Sequence, residues 1–398
     1  MGRGRELEVP RRLLKPTCSR FSSSLAGQIL NTTTICVNNC VTSGVSGVGS
    51  YFGFTSPLHS STEYCCSSKR TFRGHIRIKA TPPIYLRIVF RTLQIKALLG
   101  ALFIFVSGGL FAQADQFATR GREFWLGFMQ NASGTQQLSL RIASATATSG
   151  TVSIPLAGWS TNYVVAANGV TTVVVPNSYE IIGSEVALNL GVHVTSVDPV
   201  TVSGVNYQNQ TTDAFQVLPI ESLGIKYRVE ALPGTNIAYP NGTFMFRSEF
   251  VVVATEDGTA LQITPSATTT AGRAANVPFT INLNAGQTYQ VQAFSGVTDL
   301  TGTLVQATDS SGSCRPFAVF GGSMCAVIGC AACDHVNEQM VPVNAWGTSF
   351  HTVPLGSTVM YGYRVQAGAD NTSVTIDGGA PIVLNAGQYH QVLNATQP

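Results

Sequence analysis

Hydrophobic and polar residues alternate with a period of two along most of the chain after residue 115, and this pattern predicts β-strands. The clearest alternating or β-branched runs are residues 151–154, 171–175, 279–283 and 288–292. Dipeptides that favour tight turns separate the runs, namely Asn168-Gly169, Asn241-Gly242, Asp257-Gly258 and Asp377-Gly378. Only residues 333–340 suggest a turn or two of helix. We therefore predict an all-β fold.

An internal repeat organises this part of the chain. Leu283-Asn-Ala-Gly-Gln287 recurs as Leu384-Asn-Ala-Gly-Gln388, and a diverged third copy aligns Glu123-Phe-Trp-Leu-Gly-Phe128 with Glu249-Phe-Val-Val-Val-Ala254. Such a period predicts tandem units of about 110–125 residues. We place them at residues 115–248, 249–360 and 361–398, the last unit being incomplete.

The size of the units favours tandem β-sandwich-like domains. Many short strands separated by turns are typical of sandwiches. A β-propeller is the alternative, because each unit could hold two blades of about 50 residues.

A short apolar run precedes the repeats. Arg87, Arg91 and Lys96 lie before the run at residues 97–110, and Ala112-Gln113-Ala114 follows it. A basic flank, a short apolar segment and a small-x-small site define a secretory signal peptide, and a membrane span would need about 20 residues. We assign residues 93–114 to a signal peptide, so that the mature protein begins near Asp115 and does not insert into a membrane.

The two parts of the chain differ in charge. Residues 1–114 carry 14 Lys/Arg and 3 Asp/Glu, whereas residues 115–398 carry 9 and 17. The acidic exported part argues against nucleic acid as a partner. Residues 1–90 lack a regular period, and we predict that residues 1–92 are a non-native or disordered leader with translation starting near Leu93. The alternative is a long basic leader such as a transit peptide.

Four cysteines lie in the predicted mature protein, namely Cys314, Cys325, Cys330 and Cys333. An even number in an exported chain favours two disulfides, and three pairings are possible. A zinc site is the alternative, but only Cys330 and Cys333 have knuckle spacing. We predict neither a metal nor another cofactor.

Asp334, His335 and Glu338 are the residues that most suggest catalysis, because carboxylates beside a histidine suit acid–base chemistry. A short, disulfide-pinned segment whose polar groups bond to nearby backbone is the better explanation of these residues. Ser323 lacks the nucleophile-elbow pattern, and His193 and His351 have no carboxylate at a recognisable spacing. We expect no catalytic residue.

Two acidic turns, at residues 256–259 and 370–372, could bind calcium through carboxylates and carbonyls. Neither turn has the alternating acidic ladder of a calcium loop. Hairpin turns are therefore the favoured interpretation.

Six ordered motifs resemble one known family. They are Glu123-Phe-Trp-Leu-Gly-Phe128, Gly191-Val-His-Val-Thr-Ser196, Ala254-Thr-Glu-Asp-Gly-Thr259, Asp299-Leu-Thr-Gly-Thr303, Phe317-Ala-Val-Phe-Gly-Gly322 and Cys333-Asp-His-Val-Asn-Glu-Gln-Met340. Together with Trp346-Gly347 they are similar to the amino-terminal domain of IgG-Fc-binding proteins, in particular to bacterial secreted and surface members. The resemblance implies an extracellular recognition module and supplies no residue-level binding site.

The leading hypothesis is therefore a secreted or cell-surface adhesion module that binds a protein or glycan and is not an enzyme. One alternative is a secreted hydrolase with its site near Asp334, His335 and Glu338. Another is a structural spacer within a larger surface protein.

Overall fold

A computed structural model describes residues 36–37, 119–132, 137–239, 242–308, 315–327, 332–352 and 361–395. The leader (apart from residues 36–37), the signal peptide, Cys314, Cys330 and Asn241 lie outside the described residues. Within the described part, no helix is long and apolar enough to cross a membrane.

The described residues form β-strands and four short 3-10 helices, and they contain no α-helix. The strands are β1 (Cys36–Val37), β2 (Arg120–Leu126), β3 (Gln137–Ser144), β4 (Thr148–Ile154), β5 (Trp159–Val165), β6 (Gly169–Val175), β7 (Ala187–Leu188), β8 (Val192–Tyr207), β9 (Asp213–Val217), β10 (Lys226–Arg228), β11 (Thr235–Tyr239), β12 (Gly242–Phe246), β13 (Ser248–Ala254), β14 (Thr259–Thr264), β15 (Phe279–Leu283), β16 (Thr288–Gln292), β17 (Leu304–Ala307), β18 (Phe317–Val327), β19 (Cys333–Gln339), β20 (Tyr361–Gln366), β21 (Thr372–Val374), β22 (Ile382–Leu384) and β23 (Tyr389–Ala395). The 3-10 helices are Pro155–Ala157, Asn177–Tyr179, Ile220–Ser222 and Val343–Ala345.

Three sheets carry most of the fold. A seven-stranded sheet holds β2 to β6, β8 and β9; a five-stranded sheet has the order β19-β18-β13-β16-β7; and a four-stranded sheet has the order β10-β17-β14-β15. The five-stranded sheet lies between the other two, because Val251 and Phe320 join the core of the first sheet while Phe250 and Val252 join the core of the third. This layering confirms the sandwich-like prediction, and the propeller alternative is not supported.

Strand pairing repeats along the chain. β3 pairs with β6 and β8, β13 pairs with β16 and β18, and β20 pairs with β23. Likewise β4 pairs with β5, β14 with β15, and β21 with β22. We name these sets the first unit (β3–β9), the second unit (β13–β19) and the third unit (β20–β23). The boundaries at 115–248, 249–360 and 361–398 remain a prediction.

The structure matches the first copy of the repeat to the second copy through different strands than the sequence comparison did. Glu123 lies in β2, which pairs with the amino-terminal half of β8, just as β10 pairs with β17. The equivalent of β13 is therefore β3 and not β2. The acidic-aromatic similarity between Glu123-Phe124 and Glu249-Phe250 misled the alignment, because hydrogen-bonded partners define a strand's place in a sheet.

The helical turn suggested for residues 333–340 is wrong. Cys333–Gln339 is strand β19, which pairs antiparallel with β18. The segment lacks the β-branched alternation of a typical strand, so its own pattern is weak. Pairing with the almost wholly buried strand β18 decides its conformation, since tertiary context overrides local preference.

Candidate protein-binding surface

The structure does not bring Asp334, His335 and Glu338 together as an active site. All three lie on β19, where successive side chains point to opposite faces of the sheet. His335 is buried, and its Nδ1 atom lies 3.0 Å from the carbonyl oxygen of Ser323. Ser323 is also fully buried. A substrate therefore could not reach the histidine without opening the sheet.

The cysteine cluster supports a small core. Cys325 and Cys333 form a disulfide that links β18 to β19. Cys325 packs with Phe246 and Met324, and Ile237 and Cys333 lie against them. No three His, Cys, Asp or Glu side chains among the described residues are grouped so that they could hold a metal ion.

The two acidic turns fold as the same hydrogen-bonded motif. Asp257 accepts a hydrogen bond from the backbone N–H of Ala285 (3.0 Å), and Asp370 accepts one from Ala386 (3.0 Å). In both copies the glutamine of Leu-Asn-Ala-Gly-Gln accepts a hydrogen bond from the N–H of its own asparagine, at 2.9 Å and 2.8 Å. The glycines adopt positive φ angles of 80° and 86°. The repeated sequence therefore encodes a turn pair in which these carboxylates satisfy backbone donors.

One pairing was missed at the sequence level. His193 Nε2 lies 3.0 Å from Glu123 Oε1, and the imidazole stacks on Trp125 with ring centroids 4.0 Å apart. Burial lowers the pKa of His193, and the hydrogen bond to Glu123 opposes this shift. The carboxylate comes from a neighbouring strand, so spacing along the chain could not reveal it. His351 is exposed.

A group of exposed apolar side chains surrounds the β11–β12 hairpin. Four large apolar side chains are exposed there, and we call them the hairpin surface. They are Phe244 (62%), Met245 (41%), Phe294 (60%) and Val297 (68%). Phe294 and Val297 belong to the loop after β16, which approaches the hairpin where Gly296 N–H donates to Asn236 Oδ1 at 3.2 Å.

Arg247 holds the hairpin against this loop. Its guanidinium donates to the carbonyl oxygens of Ala293 (2.7 Å) and Phe294. Burial lowers the pKa of Arg247. An arginine fixed by two carbonyls on one loop keeps Met245 and Phe294 in a constant relative position, which is the preorganisation that a binding surface needs.

The hairpin also rests on the disulfide-bonded core. Phe246 is buried beside Cys325, and its ring stacks near that of Phe244, with centroids 6.2 Å apart. The hairpin lies between β10 and β13, at the start of the second unit. At the start of the first unit, residues 127–136 connect the corresponding strands β2 and β3. The sequence signal for the hairpin is Asn241-Gly242 between apolar runs. That signal predicts a turn, but it does not predict that Phe244 and Met245 on the following strand are exposed.

The described residues thus form stacked β-sandwich-like units that carry an exposed aromatic hairpin. Residues 213–398 match the model of the family described as IgGFc binding protein. Residues 213–398 are therefore similar to the IgGFc-binding protein family, and the resemblance inferred from the motifs is confirmed.

A human protein named IgGFc-binding protein is 28% identical to this chain over 280 residues. The alignment covers 67% of this chain but only 5% of the human protein, so the chain spans a small part of that relative's length. No solved structure matches the chain. The bacterial origin suggested by the motifs remains a prediction.

Proposed function

We propose that this chain is a secreted or cell-surface module that binds an extracellular protein through the hairpin surface, without catalysis. The observation that carries the proposal is the exposure of Phe244 and Met245 on the hairpin and of Phe294 on the loop that the hairpin contacts. Aromatic and methionine side chains are enriched where proteins bind each other, and exposed apolar groups of this kind mark interaction sites.

The fixed geometry of the surface supports the proposal further. The disulfide-bonded core and Arg247 hold the hairpin surface, so binding does not require the hairpin to become ordered. Little conformational entropy is then lost on association.

The Fc region of IgG is the first partner to test. The name of the human relative states this partner for that protein, and the family match includes the whole hairpin. A glycan is the less favoured ligand, because small ligands are oriented by a few precisely placed polar groups. The four side chains of the hairpin surface are all apolar.

Binding of purified human Fc to the protein is measured by biolayer interferometry. We expect Phe244→Ala combined with Met245→Ala to weaken binding at least about tenfold, since hot-spot truncations cost more than about 1 kcal/mol. Phe350→Ala is the matched control, because Phe350 is an exposed phenylalanine outside the hairpin surface (46%). No binding of Fc by the wild type would reject Fc as the partner. Equal losses in both variants would reject the hairpin surface.

Export is tested separately by sequencing the amino terminus of the secreted product. We expect it to begin at Asp115, because Ala112-Gln113-Ala114 has the pattern that signal peptidase recognises. Peptides from residues 1–80 in the unprocessed protein would contradict a translation start near Leu93.

A further inference from the structure

Each later unit buries one sheet face against the unit before it. In the second unit, Val251 on β13 and Phe320 on β18 point away from their own core and join the core of the first unit. In the third unit, Arg364 on β20 donates to the carbonyl oxygen of Ala231 at 2.7 Å and to Thr301 Oγ1 at 3.0 Å. We use the name outer face for the face of the β3, β13 or β20 sheet that points away from the unit's own core.

Strand register shows which outer-face positions are equivalent. Val251 pairs with Gln290 on one side and Phe320 on the other. Arg141 occupies the same place in the first unit, where it pairs with Thr172 and Ser203. In the third unit this place belongs to Arg364, which pairs with Gln391.

The outer face of the first unit has a different chemistry from that of the second. Arg141 is exposed where the second unit buries Val251, and Ser203 stands where it buries Phe320. Arg141 Nη1 donates to Thr172 Oγ1 at 2.6 Å, so a polar pair lies across the middle of the face. The exposed apolar residues of this face, Val170 and Val174, lie on the peripheral strand β6.

In the third unit, the arginine at this position is covered where two carboxylates meet it. Arg364 is buried between Glu230 and Asp299, at 3.3 Å and 3.0 Å. Burying a guanidinium without such partners costs several kcal/mol in desolvation. The arginine therefore sets a chemical condition on any unit that would dock there.

We propose that the outer face of the first unit is the capped end of the repeat stack, and that Arg141 and Ser203 keep it free of another unit. End repeats of stacked proteins carry a polar outer surface, since an apolar one would bind further copies. Under this proposal units add in one direction only, beyond the third unit.

The experiment replaces Arg141 and Ser203 of the first unit by the residue types that the second unit has at the equivalent positions, Val251 and Phe320. The variant Arg141→Val with Ser203→Phe is compared with Arg122→Val with Ser160→Phe, which makes the same changes at other exposed positions of the protein. Sedimentation velocity measures the mass in solution, and circular dichroism verifies that each variant is folded.

We expect wild type and control to sediment as single chains and the face variant to reach about twice that mass or more. A face variant that stays folded and monomeric would overturn the proposal. So would a wild type that self-associates and becomes monomeric with Arg141→Ala, because the face would then be a docking surface rather than a cap.

Discussion

Gly302 lies so close to Gly387 that a Cβ atom on Gly302 would overlap the carbonyl oxygen of Gly387. One unit earlier, Gly191 N–H donates to the Gly286 carbonyl at 2.9 Å, and a Cβ on Gly191 would stand 2.6 Å from that oxygen. Successive units therefore meet through the same glycine contact.

We expect Gly302→Ala to destabilise the protein by more than the roughly 1–2 kcal/mol that a positive φ angle alone costs. Gly302 has φ of 95°, and the added methyl group would also push the third unit away. Gly158→Ala is the control, because Gly158 has φ of 70° and an added Cβ there would meet nothing within 4 Å. Urea unfolding compares the two, and equal losses would mean that the glycine contact does not hold the units together.

Glu185 joins the first unit to a loop of the second. Its buried carboxylate accepts hydrogen bonds from Thr269 Oγ1 (2.9 Å), Ala271 N–H (2.7 Å) and Arg273 Nε (2.9 Å). We expect Glu185→Ala to cost roughly 2–4 kcal/mol of unfolding free energy, because it leaves these donors unsatisfied. Glu221→Ala, which alters an exposed glutamate in another segment, serves as the comparison. A loss under about 0.5 kcal/mol, typical of surface changes, would contradict the expected role.

The raised pKa of Glu230 predicts that the protein becomes less stable as pH rises. Burial raises its pKa to about 7, and Asp299 adds to this shift while Arg364 opposes it. The folded state therefore binds a proton that the unfolded state releases between pH of about 4.5 and 7, and stability falls across that window by up to roughly 3 kcal/mol.

Glu230→Gln should flatten this dependence, since glutamine does not titrate. Burial also raises the pKa of Glu249 well above its ordinary value, so part of the slope in the same direction should persist. Thermal unfolding at several pH values gives the measurement. An identical slope in wild type and Glu230→Gln would show that Glu230 is not the titrating group.

The Cys325–Cys333 disulfide bears on the thiol content of the protein. We expect no free thiol in the denatured, unreduced protein, because the proposed export would favour oxidation and four cysteines can form two bonds. The Cys325–Cys333 loop spans 8 positions, and closing a loop of that length is worth about 2.5 kcal/mol in the chain-entropy model. Thiol titration together with zinc analysis tests this, and four thiols with one zinc per chain would favour the metal alternative.

Local patterns predicted the strands and the repeated turns because the information is contained in a few neighbouring residues. The period of two gave the all-β fold, and Leu-Asn-Ala-Gly-Gln gave two turns with nearly identical hydrogen bonds. The segment 333–340 shows the limit of such patterns, since its conformation depends on β18.

The candidate site was less predictable because it depends on distant parts of the chain. Arg247 reaches a loop more than forty residues away, and Phe246 packs on a disulfide formed later in the chain. Sequence spacing also could not show that His335 would be buried. The turn at Asn241-Gly242 was visible, but the exposed aromatic side chain of Phe244 became a candidate only through its surroundings.

β8 runs through the whole seven-stranded sheet. Its 16 residues pair with β2 and β4 at one end and with β3 and β9 at the other. Under mechanical tension, withdrawing this strand would require the ladders to four neighbours to shear together. A protein anchored at a surface and pulled by its ligand would then bear load elastically until the first unit ruptured in a single event.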